Sequence, residues 1–291
     1  MTASAAPMRC GRISYTNDLP VYAAFDLGVL EFPGTLVTAV PSELNRALLA
    51  GELDVGPVSS FFYAQHGELT TLPGLCIGSR REAKSIQCIS RVHPRELAGK
   101  RIATTTDSAT GRALFDVICR AGYGFTPDLA PSDDPYGEHQ RDGTPCVLIG
   151  DVAIDAALAE PHNAHDIGKL WYGLSGTDMV YAVWAMRRDR LKALMRDPQG
   201  KEWVGGLVFD LHRAIDFGRA NMARVIELAQ KQCLRPAGFY EEYYKALNYD
   251  LDTQAMLGFA AFCKMAQQCG VLDRDVAVPA APEDTVHVPN D

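Results

Sequence analysis

Residues 14–20 place polar side chains between an apolar run and the expected start of a helix. Tyr15 and Asn17 stand where a strand is expected to end, and a tyrosine hydroxyl and an asparagine amide both orient bound polar molecules through hydrogen bonds. The same residue types also form a plain turn, in which Asn17 or Asp18 caps the helix that includes Pro20. The segment therefore predicts either a helix cap or one edge of a ligand site.

Two other segments bring hydroxyl side chains to the expected start of a helix. Ser59 and Ser60 follow a short apolar run, and Ser108 and Thr110 end the hydroxyl-rich residues 104–110. The first N–H groups of a helix have no partner within the helix, so they bind anions together with nearby hydroxyls. Serine is also common as a plain cap. On the ligand interpretation, the segments predict sites for the carboxylates of a small anion.

Ser85 and Asp151 each allow a structural and a functional interpretation. Ser85 opens a predicted strand after the polar residues 78–81, so it belongs either to a surface turn or to the ligand site. Asp151 follows Gly150 at the end of another predicted strand, so it is either a helix cap or an acid beside the ligand. The spacing of these residues leaves both interpretations open.

The sequence contains no strong metal or nucleotide motif. His162 and His165 have a spacing that metal sites use, but they lie in a polar stretch without cysteine, so we expect a solvated loop. The Gly-x-Gly-x-x-Gly, Walker and Gly-x-Ser-x-Gly motifs are absent, which argues against the simple nucleotide-binding and serine-hydrolase classes. We therefore predict that the protein uses no metal and no organic cofactor.

The composition is that of an ordinary globular protein. Of 291 residues, 47% are hydrophobic and 22% are charged, which excludes disordered, collagen-like and coiled-coil chains. The net charge of -8 and the scarcity of lysine and arginine runs argue against nucleic acid as a partner. No apolar run reaches the roughly 18 residues of a membrane span. We expect a small-molecule partner, neither nucleic acid nor membrane, and leave the oligomeric state open.

The cysteines and the N-terminus indicate a compartment. The eight cysteines form no Cys-x-x-Cys pair, and most lie within apolar stretches, as is typical of buried thiols in a reducing environment. Residues 1–7 lack the basic and apolar regions of an export signal. The sequence therefore predicts a cytoplasmic protein.

The elements that must position these residues form two lobes. At roughly 150 residues per domain, the length suggests two domains. The first third of the chain has a β-α-β-α-β pattern, which favours a parallel sheet covered by helices, and a turn-rich segment then precedes a fresh strand. We predict an α/β protein in which residues 100–179 form a second lobe inserted into a first lobe of residues 8–99 and 180–277. We expect the ligand cleft between the lobes and a frayed tail at residues 278–291.

The apolar periodicity predicts the remaining elements. Apolar residues spaced by three and four from residue 204 to 229 predict one long helix, and two more are expected at about 238–247 and 252–269. The nearly all-apolar residues 179–186 predict a buried strand. Residues 126–143 are rich in proline, glycine and charge, so we predict mainly loop there.

Six motifs, taken in order, resemble those of a known family. They are Ile13-Ser14-Tyr15-Thr16-Asn17-Asp18-Leu19-Pro20, Pro41-Ser42-Glu43-Leu44-Asn45, Gly51-Glu52-Leu53-Asp54-Val55-Gly56-Pro57-Val58-Ser59-Ser60, Ile77-Gly78-Ser79, Ser108-Ala109-Thr110 and Ile149-Gly150-Asp151. The sequence is similar to the chorismate dehydratases of the futalosine route to menaquinone, over about residues 9–187 and more weakly beyond. The resemblance implies the type II fold of the periplasmic binding proteins, which agrees with an inserted lobe.

The resemblance also implies a reaction and a substrate. The protein is expected to be a lyase that removes water from chorismate, a dicarboxylate, to give 3-[(1-carboxyvinyl)oxy]benzoate. Because hydroxyls and helix N-termini cluster there, we expect one carboxylate to bind at the helix start Ser108-Ala109-Thr110 and the other near Ser59, Ser60 and Ser85. The residues expected to bind the substrate are Tyr15, Ser59, Ser60, Ser108, Ala109, Thr110 and Asp151.

The matched segments contain few titratable side chains, which bears on the base of the reaction. Asp18 and Asp151 both have structural interpretations, so we expect a carboxylate of the substrate itself to remove the proton. Asn17 and Ser85 are then the expected catalytic residues, because they would hold the substrate in a reactive geometry. Asp18 and Asp151 stay the alternative bases.

Two other functions fit parts of the sequence. One is a cytoplasmic protein that binds or senses a small anion without catalysis, since one fold serves both purposes. The other is the paralogous 1,4-dihydroxy-6-naphthoate synthase, which uses a histidine base in the second lobe. His139 and His162 are expected in loops without the paralogue's motif, so this function ranks behind the dehydratase.

Overall fold

The computed structural model describes residues 7–276 and contains two β-sheets, one in each lobe. The strands in chain order are β1 (Arg9–Ile13), β2 (Thr35–Ala39), β3 (Val55–Ser59), β4 (Leu69–Ser79), β5 (Ile86–Ile89), β6 (Arg101–Thr104), β7 (Asp128–Pro131), β8 (Cys146–Ile149), β9 (Ala164–Asp166), β10 (Met179–Arg187) and β11 (Leu247–Asp250). The tail predicted at residues 278–291 lies outside the described residues.

Helices cover both sheets. In chain order they are α1 (Leu19–Asp26), α2 (Pro41–Leu49), α3 (Ser60–Gln65), α4 (Ala109–Val117), α5 (Pro135–Asp142), α6 (Gly150–Ala159), α7 (Ile167–Ser175), α8 (Arg188–Leu194), α9 (Pro198–Ala220), α10 (Met222–Gln232), α11 (Phe239–Ala246) and α12 (Thr253–Gln268).

The first sheet has the strand order β11-β4-β10-β3-β1-β2. β1 pairs in parallel with β2 and β3, as the β-α-β-α-β pattern predicted, whereas the returning strand β10 runs antiparallel to β3 and β4. The carboxyl ends of β1 and β3 therefore lie at the same edge of the sheet. The residues that follow these two strands, Tyr15 and Asn17 after one and Ser60 after the other, come together at that edge.

The second sheet has the order β7-β6-β8-β5-β9. β6 is parallel to β7 and β8, so that the carboxyl ends of β6 and β8 also share an edge. Ser108 lies shortly after the first of these two strands and Gly150 directly after the second. The two edges face each other across the cleft between the lobes.

The chain crosses between the lobes earlier than the sequence predicted. The first crossing lies between Ser79 and Ile86 rather than near residue 99, because β5 pairs with β8 and β9 of the second sheet. Apolar periodicity predicts a strand but not the sheet to which it belongs. The return crossing precedes Met179, close to the predicted position. The inserted lobe therefore contains β5 as well as β6 to β9.

Residues 126–143, predicted mainly as loop, contain β7 and α5. Asp134 caps the helix, because its Oδ1 accepts a hydrogen bond from Gly137 N at 3.0 Å. Gly143, with a φ of 80°, ends it. His139, expected in a loop, is buried within this helix. The proline, glycine and charged residues that suggested a loop are here the start, the end and the exposed face of a short helix.

The C-terminal helices pack against the first lobe. The single helix predicted from residue 204 is two helices, α9 and α10, because the chain bends at Asn221. α11 and α12 lie where the periodicity predicted them. α9 packs on α1 at Gly218, where a β-carbon would lie 2.3 Å from Pro20 O, so only glycine allows this approach.

Two further features bear on the expectations from composition. Within residues 7–276, no helix is both long enough and apolar enough to cross a bilayer. All eight cysteines are unpaired, and six of them are buried.

Candidate functional site

A cavity lies between the two lobes, next to the carboxyl ends of β1, β3 and β8. Its volume is about 50 Å³, whereas typical small-molecule sites measure about 300–1,000 Å³. The lobes must therefore separate before a ring-sized ligand can enter. The rest of the wall is mainly aliphatic. The polar side chains that line it are Tyr15, Asn17, Ser59, Ser85, Ser108, Thr110 and Tyr181.

Asn17 contributes its side-chain amide to the cavity wall. It lies in a short 3-10 turn, Thr16–Asp18, that follows β1. Its backbone carbonyl accepts a hydrogen bond from Tyr249 Oη at 2.8 Å. Its side-chain Oδ1, by contrast, is buried and has no partner within the described part of the chain. Because an unpaired buried polar atom costs free energy, this amide is suited to a ligand in the cavity.

The lobes touch at Tyr15 and Gly150. Gly150 has a φ of 68°, and a β-carbon there would lie 2.9 Å from atoms of the Tyr15 ring. The N–H of Gly150 donates to Ser85 O at 2.8 Å. Burial raises the pKa of Tyr15 above its usual value, so the hydroxyl stays protonated and is a hydrogen-bond donor.

The start of α4 supplies two hydroxyls that already have partners. Ser108 Oγ caps the helix by accepting a hydrogen bond from Gly111 N at 2.9 Å. Thr110 Oγ1 accepts from Phe61 N and donates to Tyr181 O, both at 3.1 Å. Thr110 therefore joins the two lobes as well as lining the cavity. A ligand here would use the backbone N–H groups of the helix start and the remaining lone pair of Ser108.

Ser60 and Ala109, both predicted to bind the substrate, do not line the cavity. Ser60 is fully buried, and its Oγ donates to Val180 O at 2.6 Å, which ties α3 to β10. Ala109 lines a second, more open pocket of about 670 Å³ on the α2 side of the cleft, together with Arg46 and Arg112. Both residues therefore belong to the surroundings of the cavity rather than to its wall.

Ser85 lies in the segment where the chain crosses between the lobes. The half-buried carboxylate of Asp166 holds this segment by accepting hydrogen bonds from Ala83 N at 3.0 Å and Lys84 N at 2.6 Å. Lys84 has a φ of 56°, in the left-handed region that residues other than glycine seldom adopt. The Ser85 hydroxyl donates to Ala83 O at 3.3 Å, a long bond that a ligand can replace.

Asp151, predicted to bind the substrate, does not line the cavity either. Its carboxylate accepts hydrogen bonds from Thr16 Oγ1 at 2.6 Å and Thr16 N at 3.1 Å. It also pairs with Arg235 at 3.1 Å. These contacts join the inserted lobe to the first lobe, and the contact with substrate that the sequence predicts for Asp151 stays a prediction.

Tyrosines are the only ionisable side chains among the described residues that line the cavity. Asp18, the other candidate base, is buried inside the first lobe with its carboxylate 3.5 Å from Arg12 Nε. Burial raises the pKa of Asp18 well above its usual range, and Arg12 offsets this only in part. Burial likewise raises the pKa of Tyr181. The cavity can therefore bind and orient a ligand through neutral donors, but it offers no carboxylate or imidazole as a base.

Sequence reasoning missed Tyr181, Gly150 as a contact between lobes, and Arg235. Tyr181 is the one hydroxyl-bearing residue in the apolar strand β10, and this signal was available. Its Oη lies 2.8 Å from Ser79 Oγ. Arg235 had no such signal, because its partner lies 84 residues away in the sequence and the two meet only in the folded chain.

The two lobes and the cavity between them are the architecture of the periplasmic-binding-protein fold. The alkanesulfonate-binding protein of Xanthomonas axonopodis pv. citri superimposes with a TM-score of 0.65 and 20% identity, over 94% of this chain and 98% of that chain. A Candida albicans protein described as having the generic periplasmic binding protein fold superimposes with a TM-score of 0.66 and 12% identity, over 94% of this chain and 92% of that chain. These likenesses establish the fold.

The sequence itself defines the family. Residues 8–268 match the protein family described as "Menaquinone biosynthesis". The chorismate dehydratase of Thermus thermophilus is 30% identical over 255 residues, which cover 78% of this chain and 84% of the relative. The chain belongs to this menaquinone biosynthesis family, and the resemblance found in its motifs is confirmed.

Proposed function

We propose that the protein is an enzyme that dehydrates chorismate to 3-[(1-carboxyvinyl)oxy]benzoate, a hydro-lyase reaction. The observation that carries this proposal is the kinship with a chorismate dehydratase over most of the chain. The cavity adds chemical support, because neutral donors from both lobes surround a space without an enzyme carboxylate or imidazole. Such a site suits a substrate that brings its own base.

The reaction needs one proton transfer and one leaving group. A carboxylate of the substrate removes the proton from the ring carbon that bears the enolpyruvyl ether. The resulting carbanion delocalises through the adjacent ring double bond into the ring carboxylate. The hydroxyl on the neighbouring carbon then leaves with the proton that the substrate carboxylate had taken up, so that water is released. The ring thereby becomes aromatic. Every atom is accounted for by substrate, product and one water.

The polar side chains in the cavity wall have assignable roles in this scheme. Asn17, by donating from its Nδ2, and Ser85, by donating from its hydroxyl, hold the enolpyruvyl carboxylate and the ring in the geometry that proton transfer requires. Hydroxyls and the N–H groups at the start of α4 stabilise the charge that develops on the ring carboxylate. Tyr15 and Tyr181, protonated because burial raises the pKa of each, add donors that cannot themselves remove the proton.

The start of α4 is expected to hold one substrate carboxylate. Replacing Ser108 and Thr110 together with alanine should weaken binding of the product by about 1–3 kcal/mol, because buried acceptors and donors lose partners. Ser42→Ala is the matched control: its Oγ also bridges the lobes, to Asp107 at 3.3 Å, but it lies outside the cavity wall. Isothermal titration with product measures the effect, and an unchanged affinity in the double variant would reject this carboxylate site.

Catalysis is expected to need no metal ion. The side chains lining the cavity include no histidine, cysteine, aspartate or glutamate, and no cluster of three such residues within residues 7–276 has the arrangement of a metal site. Loss of water is driven by aromatisation, so no Lewis acid is required. Turnover should stay at its full rate after exhaustive chelation. Loss of activity that a divalent ion restores would refute this expectation.

The turnover of chorismate by the purified protein tests the function directly. We expect loss of the diene absorbance together with a product lighter than chorismate by one water. Tight binding of chorismate or the product without turnover would favour the anion-binding or sensing alternative. If the protein bound neither chorismate nor the product, both the dehydratase function and the binding of this anion would be rejected.

We further propose that the reaction serves the futalosine route to menaquinone and takes place in the cytoplasm. The family description supports menaquinone biosynthesis, and the resemblance of the motifs suggests the futalosine route. The eight unpaired thiols support the second, because such thiols are typical of a reducing compartment.

A further inference from the structure

Arg235 is the only lysine or arginine that is fully buried within residues 7–276. It lies between α10 and α11 of the first lobe, but its guanidinium contacts α6 of the inserted lobe. Nη2 lies 3.1 Å from Asp151 Oδ1 and donates to Asp151 O at 3.2 Å, and Nη1 lies 2.7 Å from Asp155 Oδ1. Burying a cation is costly unless it is paired, so these contacts fix where α6 meets the first lobe.

Asp151 extends this contact to the turn that carries Asn17. Its two carboxylate oxygens accept hydrogen bonds from the side chain and the backbone N–H of Thr16. On the other side, Thr16 O accepts from Tyr244 Oη at 2.9 Å, and Asn17 O accepts from Tyr249 Oη at 2.8 Å. The turn is therefore held from the inserted lobe and from the C-terminal part of the chain at once.

We propose that Arg235 and Asp151 are positioning residues for the dehydration, which act on Asn17 through Thr16. Thr16 belongs to the first lobe and Asp151 to the inserted lobe, so the bonds between them exist only when the lobes are together. Closure of the lobes thereby sets the orientation of the Asn17 amide. The catalytic consequence rests on the proposed function, whereas the anchoring of the turn does not.

Asp151 and Asp155 provide a matched pair of variants. Both carboxylates contact Arg235, but only Asp151 contacts Thr16. Asp151→Ala is expected to lower kcat about 10- to 100-fold with little change in KM, because a small misplacement of a catalytic group slows the reaction strongly. Asp155→Ala should change kcat by less than about twofold. Equal losses in the two variants would overturn the proposal.

A double variant tests whether Asp151 acts through Asn17. If it does, adding Asp151→Ala to Asn17→Ala should cost little beyond the loss from Asn17→Ala alone, because the group that it positions is already absent. Additive losses would show that Asp151 acts on the reaction by another path, and they would overturn the proposal.

A milder change guards against loss of the folded state. Asp151→Ala leaves Arg235 with one carboxylate fewer, whereas Thr16→Val keeps the ion pair and removes only the hydroxyl that donates to Asp151 at 2.6 Å. We expect Thr16→Val to lower kcat several-fold at unchanged melting temperature and unchanged product affinity. A kcat equal to that of the parent protein would count against the positioning role.

Hydrogen exchange gives a readout that needs no activity. The amide of Thr16 donates to Asp151 Oδ2 at 3.1 Å, so exchange in residues 15–18 should be faster in Asp151→Ala than in the parent protein or Asp155→Ala. Unchanged exchange would overturn the anchoring. If the parent protein did not convert chorismate, the proposed function would be wrong, and the exchange comparison would still decide whether Asp151 holds the turn.

Discussion

Replacing Asn17 with alanine is expected to lower kcat for chorismate about 100- to 1,000-fold and to leave KM within a few-fold. Asn17 lines the cavity, and its buried Oδ1 has no hydrogen-bond partner among the described residues, so this oxygen is not used to hold the described part of the fold together. The contribution of Asn17 is then made to the transition state more than to the bound substrate, which separates kcat from KM. Steady-state kinetics that follow the diene absorbance measure the effect.

The neighbouring residue is the matched control for this variant. Asp18 shares the turn with Asn17 but lies inside the first lobe beside Arg12. Asp18→Asn should therefore change kcat by less than about tenfold while it alters thermal stability. If Asp18→Asn instead abolished turnover in a folded protein that still bound the product, an enzyme carboxylate would be the base, and the substrate-assisted scheme would be wrong.

Local patterns were enough to predict most elements of the fold. The strand at residues 146–149 and the helix that begins at Pro41 follow directly from apolar runs and stop signals. The errors arose where the structure depends on contacts between segments that are distant in the sequence. Whether residues 86–89 join the first or the second sheet depends on pairing with residues 57 to 79 positions away along the chain, which no local pattern contains.

The sequence likewise predicted several residues of the cavity wall, but not the contacts between distant segments around it. Tyr15, Asn17 and Ser108 line the cavity because each follows the carboxyl end of a strand, a position that the sequence reveals. Ser85 lines it from the segment that precedes β5. Asp151 also follows a strand, but its partners decide its orientation, and these partners come from the first lobe and the C-terminal segment. The roles of the cavity-lining residues in binding and catalysis stay predictions that the proposed variants test.

Gly150→Ala is expected to impair closure of the lobes. The φ of 68° is strained for alanine, and the added β-carbon would lie 2.9 Å from ring atoms of Tyr15 in the opposite lobe. Because the clash exists only in the closed arrangement, the variant should bind the product more weakly by about 1–3 kcal/mol, which corresponds to a Kd roughly 5- to 150-fold higher. Calorimetric titration of the product measures this change.

Gly176→Ala separates the clash from the backbone strain. Gly176 ends α7 in the inserted lobe with a φ of 71°, so alanine there meets the same strain, but no atom lies within 4 Å of the added β-carbon. Both variants should therefore lose stability by about 1–2 kcal/mol, as thermal unfolding reports. Only Gly150→Ala should lose affinity for the product. Because Gly150 N also donates to the backbone carbonyl of Ser85, which lines the cavity from the same lobe, the kcat of Gly150→Ala should fall as well. If the two variants bound the product equally well, the close contact between Tyr15 and Gly150 would not be needed for the lobes to close around the ligand.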